Sequence, residues 1–157
     1  MTAGRHAMLW VLFAVAALVA ALFPALAAWS RAHPPRFEVA GRLAPCPASP
    51  NCVNSLAGDP RHAIEPLRFT GASGEAWDRL RGILIALPGT SLAADRPGYL
   101  HVEFRSRLLG FVDDGEFLLD AAARVIHVRS ASRVGWSDRG VNRRRIGDIA
   151  ARFEPRP

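Results

Sequence analysis

Lysine is missing altogether: all 20 basic residues of this 157-residue chain are arginine. Together with 27 alanines, that bias reflects a GC-rich genome more than a physical need. Cysteine is nearly missing as well. Two residues, Cys46 and Cys52, exclude a disulfide-dense toxin scaffold. No Ser-His-Asp order, Walker loop, GxGxxG run or zinc signature occurs. No cofactor and no metal is therefore expected. Internal repeats are absent, and the length suits one ordinary domain rather than two.

Charge is absent from Ala7 to Trp29, where 22 of 23 residues are apolar and Pro24 is the exception. At 1.5 Å per residue, such a helix crosses roughly 30 Å of hydrocarbon. It reads either as a transmembrane anchor, with Trp29 at the interface, or as a signal peptide. In the second reading Pro24 breaks the helix and Ala25-Leu26-Ala27 is the cleavage site. Outside this window about 42% of residues are apolar, which suits a small soluble domain.

Orientation is contested by the charges. Arg5 precedes the apolar run, while Arg31, Arg36 and Arg42 follow it. Counting arginines keeps the domain in the cytoplasm. The basic start, the Ala-x-Ala site and the cysteines favour export. The expected location is the bacterial inner membrane with the domain on the periplasmic side, or the periplasm if the N-terminus is cleaved.

Three regions are expected: 1–29 as anchor or signal, 30–61 as a proline-rich tether, and 62–157 as the domain. The tether holds Pro34, Pro35, Pro45, Pro47, Pro50 and Pro60, which disfavour regular structure. Ala63–Phe69 reads as a strand that Pro66 demotes to an edge or to loop. Ser73 caps a helix whose stripe is Trp77, Leu80, Leu84 and Leu87, ended by Pro88-Gly89. Strands are expected over 91–95, 99–106, 111–119 and 125–131, with a bulge or kink at Asp113-Asp114-Gly115. A last helix spans Val141 to Phe153. The fold class is α+β: an antiparallel sheet of about four to five strands with two helices packed on one face.

Three stretches carry a resemblance. They are Cys46-Pro47-Ala48-Ser49-Pro50-Asn51-Cys52-Val53-Asn54-Ser55; Tyr99 to Ser106 with Gly110 to Phe117; and Val128 to Asp138 with Gly140-Val141-Asn142-Arg143. In this order they resemble the uncharacterised, mainly bacterial family called domain of unknown function 1499, over roughly Leu43 to Phe153. The resemblance implies little about mechanism and carries over no catalytic residues. It does imply an N-terminal signal or membrane segment.

Cys46 and Cys52 bracket five residues, and in an exported protein they read most simply as a disulfide. A metal or redox pair and free thiols are the alternatives. His101, Glu103, Arg105, Glu116, His127 and Arg129 share the polar face of the sheet. They read either as ion pairs on a solvated face or, with a third ligand, as a divalent-metal site. The acidic cluster Asp113, Asp114 and Glu116 suits acid–base chemistry or internal salt bridges.

The ligand-binding candidates are Arg105, Arg129, Ser130, Ser132, Arg133, Trp136, Asp138, Asn142 and Arg143. Asp138 or Ser137 caps the last helix, whose free N–H groups favour anions. Arg133 and Arg143 would grip phosphate or carboxylate in a bidentate manner. Alternatively, Asp138 and Asn142 organise a turn, Trp136 fills the core and the arginines stay solvated. Residues 124–157 hold nine arginines against three acids, so the net charge of +6 belongs to this end. The expected function is a membrane-associated binding or structural module for an anionic small molecule, a lipid headgroup or an acidic protein. Nucleic acid is not an expected partner. The competing reading is an envelope hydrolase using Asp113, Asp114 and Glu116.

Overall fold

A computed structural model describes residues 2–37 and 41–154. Helix α1 spans Thr2–Ala32 and runs through Pro24 without a break. Its segment His6–Ala32 is long and apolar enough to cross a membrane. Most of its side chains are exposed, but Ala27 and Ser30 in its last turns are fully buried against the domain.

Six strands form one antiparallel sheet: β1 (Cys52–Asn54), β2 (Leu67–Arg68), β3 (Thr90–Arg96), β4 (Tyr99–Arg105), β5 (Val112–Asp120) and β6 (Val125–Ser132). Their order is β1-β6-β5-β4-β3, and β2 shares with β1 the outer edge of β6. The strands β3 to β6 follow from period-2 alternation and short turns. Gly98, at φ 73°, supplies the left-handed residue of the β3–β4 turn.

The expected irregularity at residues 113–115 is not there. Register between β4 and β5 runs unbroken through Asp113, Asp114 and Gly115. The shift lies instead in β3, between Leu92 and Ala94. Gly115 has a packing reason: a Cβ there would stand 2.5 Å from the Phe104 ring. Pro66 confines the first expected strand to the two residues of β2. The sheet also begins before residue 62, because β1 inserts part of the proline-rich segment beside β6.

Helix α2 (Ser73–Ala86) and helix α3 (Val141–Phe153) cover one face. Ala76, Leu80 and Leu84 from α2 and Ile146, Ile149 and Phe153 from α3 bury against Val102, Phe117, Ile126 and Val128. Ser73 is helical rather than capping; Ala72 holds the N-cap position and makes no side-chain cap bond. The opposite face carries Tyr99, His101, Glu103, Asp114, Glu116 and Arg129, because β4 to β6 alternate and their register aligns these residues. Phe37 and the stretch around Ala44, together with the end of α1, lie over this second face.

Candidate functional site

Directly opposed residues on neighbouring strands share a face, so His101 meets Glu116, Glu103 meets Asp114, and Glu116 meets Arg129. All of them are acids, bases or hydrogen-bonding groups. His101, Asp114, Glu116 and Arg129 are nonetheless buried. Removing such charges from water costs several kcal/mol per ion unless each is paired. Here the pairing is dense. The Arg129 Nη1 donates to Glu116 Oε2 at 3.0 Å, and the Tyr99 hydroxyl donates to Glu116 Oε1 at 2.9 Å. His101 Nε2 lies 2.7 Å from Asp114 Oδ1. An ionised carboxylate only accepts, so Nε2 carries the proton in that pair.

Arg133 closes the cluster. It follows β6, and its guanidinium reaches across to the second face. Nε and Nη2 donate to Asp114 Oδ2 and Oδ1, both at 2.7 Å, and Nη2 also donates to Glu103 Oε1 at 2.5 Å. Its Nη1 donates to the carbonyl of Ser30, in the last turn of α1, at 2.9 Å. Burial raises the Asp114 pKa, but the hydrogen bonds from Arg133 and His101 outweigh it and hold the carboxyl below its ordinary range. Burial lowers that of Arg133, and the two carboxylates more than reverse it. Burial, then the Glu116 charge, pushes the Tyr99 phenol up.

The cover is made by the proline-rich segment. The Phe37 ring stands edge-on to His101 at 4.7 Å between centroids and lies under the Arg129 guanidinium at 5.3 Å. The Ala44 N–H donates to Glu116 Oε1 at 3.4 Å, and the Asn54 side chain donates to the Ala44 carbonyl. Cys46 and Cys52 are joined as a disulfide, tying this segment to β1. The polar face expected to be solvated is thus a paired, buried layer. Sequence alternation places the residues correctly but says nothing of a third segment lying on them.

A second polar group lies on the helix side, at the same end of the sheet. Asn142 is fully buried. Its Oδ1 accepts from Ser130 and Arg145, and its Nδ2 donates to the Asn51 carbonyl, Ser132 and Asp138. Arg145 Nη2 donates to Asp113 Oδ2 at 2.6 Å. Asp138 accepts from the backbone N–H groups of Gly140 and Asn142, so a carboxylate already occupies the start of α3. Burial raises the pKa of Asp138, and those backbone bonds lower it further than burial lifts it.

The ligand candidates therefore separate. Arg129 and Arg133 serve the buried layer, and Ser130, Ser132, Asp138 and Asn142 pin α3 to β6. Arg143 donates to the carbonyls of Ala63 and Arg61 instead of sharing a grip with Arg133. Arg105 is exposed at the far end of β4. Trp136 does not fill the core, being 71% exposed. The three acids are not one cluster: Asp113 faces the helices, while Asp114 and Glu116 face the other way. His101 and His127 are also apart, His127 lying 3.3 Å from the Ser55 hydroxyl. Among the described residues, no group of three or more His, Cys, Asp or Glu is placed to hold a metal ion.

Several contributors were not singled out from sequence. Tyr99 is the sole tyrosine and alternates in phase with His101 and Glu103, so a signal existed. Asn51, whose side chain donates to the Gly135 carbonyl at 2.6 Å, and Ser30, inside an apolar helix, gave none.

The three stretches from 46–55, 99–117 and 128–143 are neighbours in space, meeting at β1, β6, β5 and β4. A family model described as "Protein of unknown function (DUF1499)" matches residues 42–153, which covers both polar groups and the disulfide. No curated protein and no solved structure matches the chain. The matched span takes in most of the sequence, and the chain belongs to the DUF1499 family.

Proposed function

We propose that this protein is a membrane-anchored module of the bacterial cell envelope. In this reading α1 stays uncleaved in the inner membrane and the domain stands on the periplasmic side. There it binds an acidic partner rather than catalysing a reaction. The observation that carries the reading is the union of α1 with the domain. Ala27 and Ser30 are buried, and Ser30 bonds through its carbonyl to Arg133 and through its hydroxyl to the Val112 N–H. Proteolysis favours accessible, weakly structured segments. Residues 25–27 lie inside the continuous helix α1 and Ala27 is fully buried, and cutting there would leave Ser30 on a frayed terminus. The disulfide supports an oxidising compartment.

The binding reading rests on what the buried layers leave free. Arg139, Arg143, Arg144 and Arg152 are exposed on α3 and the turn before it. Among the described residues none of the four has a carboxylate within ion-pair distance. Arg143 lies on the side of α3 beside Ala63, and Arg144 and Arg152 on the side beside Leu87; with the exposed Trp136 they leave this end of the domain open and basic, which suits an acidic protein more than an enclosed small molecule. A C-terminal alkaline phosphatase fusion should be active; an inactive fusion contradicts the periplasmic placement. Cross-linking in native membranes should capture an acidic protein with the wild-type chain and lose it with Arg139→Glu and Arg144→Glu together. Identical capture by both chains contradicts the basic surface.

A further inference from the structure

The β4–β5 hairpin tip, residues 106–111, is a tight closed turn. Ser106 N–H donates to the Phe111 carbonyl, Gly110 N–H to the Ser106 carbonyl, and Phe111 N–H to the Ser106 hydroxyl. At its apex Leu108 is 91% exposed, more than any other large apolar residue among the described ones, Trp10 within α1 included. One exposed leucine is ordinary on a soluble surface. This one is held in an unusual place.

The hairpin is fastened to the end of α1. Arg31 Nη1 donates to the carbonyls of Leu109 and Gly110, each at 3.1 Å, and the Ser30 hydroxyl accepts from the Val112 N–H at 3.3 Å. Gly110 suits the contact in two ways. Its φ is 72°, and a Cβ there would stand 2.9 Å from Arg31 Nη1. The tip is therefore locked beside the turn that carries Trp29, an aromatic half exposed at the end of the apolar run. Arg105 and Arg107 flank Leu108 and are exposed. An apolar apex between cations, at the depth where an apolar helix ends, matches the boundary between phospholipid headgroups and acyl chains.

We propose that the β4–β5 hairpin tip is a second membrane contact, with Leu108 inserted at the headgroup–acyl boundary and Arg105 and Arg107 on lipid phosphates. It rests on reading α1 as a membrane span. Two contacts on one rigid body fix the tilt of the domain, where a single helix would leave it free to swing. The distal turn at residues 121–124 then points away, roughly 26 Å along β5 from the tip.

The test uses the full chain in vesicles of phosphatidylethanolamine and phosphatidylglycerol, with its native disulfide oxidised. Leu108→Cys and, separately, Ala122→Cys carry an environment-sensitive fluorophore. Emission from position 108 should shift to the blue and be quenched by lipids brominated near the headgroup; position 122 should show neither change. If the protein resists carbonate extraction while both positions report water, the hairpin contact is overturned and the anchor stands. If carbonate strips the protein from the vesicles, the anchor itself fails and the hairpin contact with it.

Discussion

The two faces of the sheet solve the same problem by opposite means. On one, α2 and α3 cover leucine, isoleucine, valine and phenylalanine, and the energy comes from apolar area removed from water. On the other, a proline-rich segment and the end of α1 cover six charged or hydrogen-bonding strand residues and Arg133. Apolar packing is tolerant of partners, since any well-shaped hydrophobe fits. A buried ion layer is not, because each charge left alone is costly. The first face holds the domain together. The second specifies what lies on it, and the Ser30 carbonyl is one of the groups specified.

Substitutions that break each face should separate these roles. The largest loss is expected from Phe117→Ala, at the centre of the apolar face, which should cost about 3–5 kcal/mol in urea unfolding. Arg133→Met should cost about 3 kcal/mol, because buried Asp114 is left with His101 alone and half-buried Glu103 loses its partner. It should also do what Phe117→Ala does not: release the end of α1, seen as new protease cleavage between residues 27 and 36. A further change of Glu103 and Asp114 to Gln and Asn should return much of the lost stability without restoring that protection. Equal protection in Arg133→Met and wild type would count against the specifying role.

Cys46→Ser with Cys52→Ser removes the closure of a short loop and should cost about 2 kcal/mol. The loss should appear first as faster hydrogen exchange at Ala44 and in β1, leaving α2 and α3 protected. The smallest effect is that of pH. The folded-state pKa of Asp114 lies below its ordinary value, so its stabilisation is fully present above the ordinary carboxylate range. It is lost as pH falls through the depressed value. The urea midpoint of the wild type should therefore fall over that acid range, and Asp114→Asn should flatten the fall. An unchanged acid slope in the variant would remove Asp114 from the account.

The same contrast explains what the sequence makes legible. The stripe Trp77, Leu80, Leu84 and the alternation of Leu100, Val102, Phe104 announce a helix and a strand, because both carry their period in adjacent residues. The last helix is read to its observed bounds, Val141–Phe153, for that reason. The cover has no period. Six prolines read as tether, and β1 is three residues long, too short for alternation to show. His101, Glu103 and Arg129 look like surface residues because their types favour water, and only a segment distant in sequence turns that surface into an interior. Arg133 lies past the end of β6, where no register rule states which side of the sheet its guanidinium reaches. The family resemblance marked these stretches as belonging together without saying that they touch.

Arg133 on the charged face holds the end of α1 as part of the domain. The most direct measurement is the mass of the protein purified from its native membrane. A chain that retains residues 2–32 is the result this account predicts. A chain beginning at Ala28, stably folded and with the charged face intact, would contradict it.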